Sequence, residues 1–263
     1  MRILVVNDDG PAEPGVWTLA EALRAVGEVR IYTPDRNYSG AGMSIPLIDS
    51  YAIRPSSPPA GFDGALPAFT INATPAIVAA IACLHGYGGH PDLVVSGINA
   101  GWNPGAQPYV VSGTAGAARA AVDRGIPAIA VSAPHDRRDL NERIGRGVAR
   151  LARALAARRG LGQDVLLSVN VPAAFNAQSP AWLTTPARLT VFESLRIEAA
   201  APDGDGTAIR VVLGDTFDGP IVPGDETDAL RAGAVSVCVT RPHEGTVLSG
   251  QPWVSIAAAF AGQ

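Results

Sequence analysis

The chain opens Met1-Arg2-Ile3-Leu4-Val5-Val6-Asn7-Asp8-Asp9-Gly10, and this stretch limits the possible folds more than any other. Four consecutive apolar residues, Ile3 to Val6, show no polar alternation and then stop at Asn-Asp-Asp-Gly. A strand with no polar face must be covered on both sides, as in parallel sheets flanked by helices. In open sheets of that kind ligands bind in the crevice beyond the carboxyl ends of the strands, which is where Asp8 and Asp9 would lie. Two neighbouring carboxylates repel each other and are costly to desolvate without a positive partner. A hard divalent cation, which takes oxygen ligands, is the expected partner.

The next segments repeat the pattern. A Gly/Pro loop, Gly10 to Gly15, leads to a helix over about Val16–Val26, stopped by Gly27. A second strand, Val29–Thr33, closes at Pro34. This βαβ unit predicts a parallel sheet with right-handed crossovers. Residues 45–72 hold short strand-like pieces and prolines and read as an excursion. Thr74 is the expected N-cap of a helix through His85, with Pro75 at its first position. Strands follow at Asp92–Ser96, Ile126–Ser132 and Val165–Val171, with helices at about Ala115–Asp123 and Leu140–Arg158 between them. Past Pro172 the pattern changes. Leu189–Ile197 and Ile209–Leu213 alternate around the turn Pro202–Gly206, which predicts a projecting hairpin. A short helix, Asp228–Gly233, and a strand, Ala234–Thr240, complete the reading. The expected fold is a Rossmann-like, doubly wound, mostly parallel α/β sheet: residues 1–172 form the catalytic core, and 173–263 the hairpin, assembly elements and a returning strand.

Composition narrows the chemistry. The formal charge is −4, so nothing global favours nucleic-acid polymers. All 20 basic residues are arginine, which excludes a Schiff-base or P-loop lysine. Cys83 and Cys238 lie far apart in apolar surroundings, as buried thiols in a reducing cytoplasm do. No apolar run reaches the roughly 20 residues of a membrane helix.

Four polar clusters fall at strand ends or helix starts: Asn7-Asp8-Asp9-Gly10, Ser39-Gly40, Ser96-Gly97-Ile98-Asn99 and Ser112-Gly113-Thr114. In a doubly wound sheet these ends share one edge. Asp8 and Asp9 supply charge for one divalent ion, Mg²⁺ or Mn²⁺. Ser39 and Asn99 supply neutral oxygens and leave positions for water and substrate. Ser112-Gly113-Thr114 at a helix start suits a phosphate, and the glycine-rich segments, Gly40 among them, let backbone N–H groups approach an anion. Together they point to metal-assisted phosphoester hydrolysis. Taken singly, the same residues also read as a turn (Asp-Asp-Gly, Asn99), a cap (Ser112) and packing aromatics (Trp102, Tyr109). His85, His90, His135 and His243 show no ligand spacing.

These segments in this order resemble the SurE family (survival protein E) of metal-dependent 5′/3′-nucleotidases. The resemblance is carried by Asn7-Asp8-Asp9-Gly10, Pro34-Asp35-Arg36-Asn37 with Ser39-Gly40, and Thr74-Pro75-Ala76. It continues through Pro91–Asn99 with Gly101, Asn103 and Gly105, then Ser112-Gly113-Thr114, Gly125–Ser132, Asn170-Val171-Pro172 and Asp225-Glu226-Thr227-Asp228. It implies a phosphomonoesterase acting on nucleoside 5′- or 3′-monophosphates, working as a homodimer or homotetramer. The family's metal ligands map onto Asp8, Asp9, Ser39 and Asn99, with Asp8 or Asp9 handling the attacking water. Its phosphate contacts map onto Asn99, Ser112, Gly113 and Thr114. Departures are Ile77-Val78, where the family carries Asp-Cys, together with Glu13 after the metal motif and Trp102 and Pro104 in the Gly97–Gly105 loop. They leave room for a specialised phosphorylated metabolite as substrate. A non-catalytic binding module on the same fold is a further alternative. A dehydrogenase is disfavoured because Asn-Asp-Asp-Gly stands where a Gly-x-Gly-x-x-Gly should follow the first strand.

Overall fold

A computed structural model describes every residue except 49, 63, 106–109, 135–136, 159–162, 189–194, 214–220 and 263. The first strand, β1 (Arg2–Val6), lies at the middle of a ten-stranded sheet. The chain first builds outward on one side through β2 (Glu28–Pro34), β3 (Ile53–Pro55) and β4 (Ala68–Ile71). It then returns to the other side of β1 with β5 (Leu93–Ala100), β6 (Ala128–Ala133) and β7 (Leu166–Asn170). Pairing is parallel from β4 through β2, β1, β5 and β6 to β7. The strand order therefore reverses between β1 and β5, where such sheets open a crevice.

Strand alternation divides β1 between two cores. Ile3 and Val5 join the one that includes Trp17, Leu19, Ile144 and Phe260; Leu4 and Val6 join the one that includes Val78, Ala82, Ala117 and Val122. Helix α1 (Pro14–Leu23) serves the first core, and α2 (Pro75–His85) and α3 (Gly113–Val122) serve the second. Helix α4 (Asn141–Ala156) packs against α1 and turns its arginine-rich face outward, as a solvated face should. Each large aliphatic buried this way contributes roughly 1.5–3 kcal/mol.

The C-terminal third adds β8 (Ala181–Thr184), a separate antiparallel pair β9 (Leu195–Asp203) and β10 (Gly206–Leu213), and the short helix α5 (Glu226–Arg231). Strand β11 (Val235–Arg241) returns to the main sheet antiparallel to β7, with β12 (Thr246–Val247) beyond it. Helix α6 (Trp253–Ala261), β8 and β12 have no counterpart in the sequence reading, which ended at the returning strand. The hairpin expectation holds for β9 and β10, joined at Gly204 (φ +61°); residues 189–194 of the expected first strand lie outside the described residues. Helix α1 ends at Leu23 rather than Val26. Thr74 takes the N-cap position, but its hydroxyl donates to the Ser44 carbonyl at 2.6 Å instead of capping. Among the described residues no helix is long and apolar enough to cross a membrane.

Candidate active site

Asn7 closes the turn after β1 by donating from Nδ2 to the Gly10 carbonyl at 2.8 Å. Gly10 sits at φ +87°, and a Cβ there would lie 3.1 Å from the Arg36 backbone, so the loops after β1 and β2 approach closely. The Tyr38 N–H donates to the Asp8 carbonyl at 2.8 Å and joins them further. Both loops thus reach the carboxyl edge of the sheet as one unit.

Asp8 is buried, and its carboxylate is held by the start of α3. Thr114 donates to Asp8 Oδ1 through its hydroxyl, and its backbone N–H donates to the same carboxylate. Burial and the charge of Asp9 push the Asp8 carboxyl up to about 6, against the pull of the Thr114 hydrogen bonds. Gly113 makes the approach possible: a Cβ there would lie 2.6 Å from the Asp8 Cβ and 2.7 Å from Oδ2. Ser112 caps the helix, its Oγ accepting from the Ala115 N–H at 3.1 Å.

Asp9 is half-buried. Its Oδ1 accepts from Asn37 Nδ2 at 3.0 Å and from Ser39 Oγ at 3.4 Å. Asn37 Oδ1 in turn accepts the Ser39 N–H at 2.7 Å, so one amide fixes both Asp9 and Ser39. Gly40 follows at φ +84° on the exposed rim.

Asn99 reaches the same edge from β5. Val6 pairs with Ser96, so Asp9, in the loop after β1, and Asn99, on β5, each stand three residues past that pair. The peptide before Ile98 is cis, and the pairing register with β6 shifts between Ser96 and Asn99. Asn99 Nδ2 donates to the Gly101 carbonyl at 2.8 Å, which leaves Oδ1 as its acceptor.

Asp8, Asp9, Ser39, Gly113 and Thr114 are therefore joined by contact, while Asn99 and Gly40 are placed beside them by topology. The donor set is oxygen throughout. Among the described residues no three His, Cys, Asp or Glu gather as a metal cluster. The charge offered to a cation is that of two aspartates, completed by neutral oxygens. That set fits a hard divalent ion rather than a thiophilic one. A cleft of about 900 Å³ lies at the opposite edge, lined in part by Arg2, His90 and Arg124, and includes none of these residues. His243 pairs with Asp123 at 3.4 Å, away from the site, and His135 and Tyr109 lie outside the described residues. Glu13 pairs with Arg138 at 3.4 Å, and Trp102 donates to the Val171 carbonyl at 2.6 Å.

The sequence reading missed Asn37 as a support, although an Asn two residues before Ser39 is a recognisable turn former. It also missed the polar group behind the β5–α3 loop. There the Asn103 N–H donates to Asn170 Oδ1 at 2.9 Å, and Asn103 Nδ2 donates to Ser132 Oγ at 2.9 Å. Glu226, wholly buried, accepts from the Gly105 N–H at 2.5 Å, the Ala187 N–H at 3.2 Å and Asn170 Nδ2 at 3.3 Å. Burial raises its carboxyl to about 7.

The family profile of survival protein SurE matches residues 3–200. The chain is 37% identical to a 5′-nucleotidase SurE 1 of Thermus thermophilus over 90% of each chain. It is 38% identical to a 5′-nucleotidase SurE of Geobacter metallireducens, over 65% of each. The crystal structure of the SurE protein from Aquifex aeolicus superposes with a TM-score of 0.72 at 28% identity, covering 92% of this chain and 93% of that one. This chain belongs to the SurE family.

Proposed function

We propose that the protein is a divalent-metal-dependent phosphomonoesterase that hydrolyses nucleoside 5′- or 3′-monophosphates to nucleoside and phosphate. The observation that carries this reading is the joining of Asp8 and Asp9 to Ser39 and to the start of α3 at the sheet's switch point. The names of the relatives, 5′-nucleotidases, support the choice of substrate class.

Asp8, Asp9, Ser39 and Asn99 would hold one Mg²⁺ or Mn²⁺ ion. Bound there, the ion supplies Lewis-acid polarisation of a phosphoryl oxygen and a water of lowered pKa. The remaining work falls to the chain. Asn37 and Ser39 orient Asp9, the more open of the two carboxylates, to position or deprotonate the attacking water. Thr114 keeps Asp8 in one orientation. The first turn of α3 directs its partial positive charge toward the crevice, where Gly113, Gly40 and Asn99 offset the charge of the transferring phosphoryl group. Ser112 and Thr114, engaged with Ala115 and Asp8, serve the phosphate by holding that helix start in place.

We infer further that the protein works in the cytoplasm as a homodimer or homotetramer. Ile197, Ile209 and Val211 of the hairpin are exposed, which supports it as an assembly element. Sedimentation of the protein with Ile197→Asp checks this.

The direct test is phosphate release from a panel of nucleoside monophosphates and sugar phosphates, with Mn²⁺, with Mg²⁺ and with EDTA. Metal-dependent release from nucleotides is expected. Release from sugar phosphates alone would move the substrate to another phosphorylated metabolite. No release under any condition would contradict the enzyme reading.

A further inference from the structure

The segment leaving Asn99 is tied down at successive points. The Gly101 N–H donates to the Ala133 carbonyl at 2.7 Å, Trp102 to Val171, and Asn103 to Asn170 and Ser132. The last tie, at Gly105, is to Glu226, a residue 121 positions away on the first turn of α5. Glu226 is 2% exposed. A carboxylate buried to that degree carries a large desolvation cost, offset only in part by the hydrogen bonds it accepts. Oε2 takes the N–H groups of Gly105 and Ala187, and Oε1 takes Asn170 Nδ2. Asn170 passes the restraint on, because its Oδ1 accepts the Asn103 N–H. One carboxylate therefore holds the loop at Gly105 directly and at Asn103 through one intermediary. Ser132, which takes the Asn103 side chain, is the residue paired opposite Asn99 in the sheet.

We propose that Glu226 is a positioning residue for the metal site, acting on Asn99 through the Gly101–Gly105 segment and Asn170. The proposal rests on the reading of Asn99 as a metal ligand. Groups that orient a ligand without touching the ion typically alter metal affinity by 10–100-fold when removed. Glu226 also accepts from Ala187, in the segment between β8 and β9, so the same carboxylate links the C-terminal third to the site.

The test compares the wild type with Glu226→Leu, Glu226→Gln and Asn99→Ala. Mn²⁺ binding to the substrate-free protein is followed by electron paramagnetic resonance, alongside kcat and KM for a nucleoside monophosphate at saturating Mn²⁺. Glu226→Leu, close in volume but without an acceptor, is expected to raise the Mn²⁺ Kd by about tenfold. Glu226→Gln keeps an oxygen for Gly105 and Ala187 but sets a donor against Asn170 Nδ2, and is expected to raise the Kd by less than Glu226→Leu does. Nucleotide KM should change less than kcat. Should Glu226→Leu fail to fold, Glu226→Asp, which keeps the charge but withdraws the carboxylate by one methylene, carries the same expectation. A wild-type Mn²⁺ Kd in Glu226→Leu or Glu226→Asp, while Asn99→Ala binds Mn²⁺ weakly, would overturn the positioning role and leave the metal site standing. A wild-type Kd in Asn99→Ala would instead overturn the ligand reading beneath it.

Discussion

The hydroxyl of Thr114 donates a hydrogen bond to Oδ1 of Asp8, a partner 106 residues earlier in the chain. This contact joins the first strand's loop to the first turn of α3, so one of the two adjacent carboxylates is fixed by a helix start. Thr114→Val removes the donor at nearly constant volume. A hydrogen bond to an ionised group is worth about 1.5–3 kcal/mol, and losing it frees Asp8 to rotate. Activity with limiting Mn²⁺ should fall by about tenfold, whereas Thr114→Ser should stay close to wild type. Initial rates across a Mn²⁺ series check this.

At Gly113 a single methyl group would press directly on Asp8. The added Cβ would come within 2.6 Å of the Asp8 Cβ, so either Asp8 or the start of α3 must move. Gly113→Ala is expected to cost activity by at least about tenfold, from a small displacement of a positioned group. Its circular dichroism spectrum should remain that of the wild type. Normal turnover in this variant would mean that the Asp8 contact has no part in the chemistry.

The paired aspartates should make the metal-free protein less stable than it need be. The folded pKa of Asp8, about 6, lies above its ordinary value of 3.8. The stability linked to this group is therefore full below about pH 3.8 and is lost as pH rises through about 6. At pH 8 and without metal, Asp8→Asn should melt higher than the wild type, by at most about 3 kcal/mol of stability. Mn²⁺ at a hundred times its Kd should stabilise the wild type by about 2.7 kcal/mol and leave Asp8→Asn nearly unchanged. Thermal melts with Mn²⁺ and with EDTA decide both points.

Glu226 gives a second pH signature, separate from the first. Burial lifts its carboxyl to about 7, opposed by the Gly105 and Ala187 N–H groups and reinforced by the charge of Asp225. The Cys238 thiol is the other titratable group that senses it, pushed up chiefly by its own burial. Stability linked to Glu226 is present below about pH 4.5 and is lost as pH rises through about 7. Subtracting the stability profile of Glu226→Gln from that of the wild type between pH 5 and 8 should leave a difference that falls with pH by up to about 1.4 kcal/mol per unit. A flat difference would contradict the assignment.

Much of this architecture is legible in the sequence where the determinants are local. The run Ile3–Val6 broken by Asn-Asp-Asp-Gly names a buried strand and its carboxyl end together. The Gly and Pro residues around the first helix and second strand mark the crossover. Helix α6 was harder to see. Its apolar residues Trp253, Ile256, Ala257 and Phe260 have helical spacing, but the segment is nine residues long and follows Pro252, with no capping side chain. Glu226 was illegible for a different reason. Within Asp225-Glu226-Thr227-Asp228 nothing local separates the acid that caps the helix, Asp225, from the one that turns inward. Its burial depends on Gly105 and Asn170, which only the folded sheet brings near.

The most direct measurement strips the protein with EDTA and follows phosphate release from a nucleoside monophosphate as Mn²⁺ is returned, for the wild type and for Asp9→Asn. Recovery of turnover in the wild type alone, with Asp9→Asn folded but inactive at every Mn²⁺ concentration, is the result expected of a metal site built on Asp8 and Asp9. Turnover in the stripped wild type, or a wild-type rate in Asp9→Asn, would contradict it.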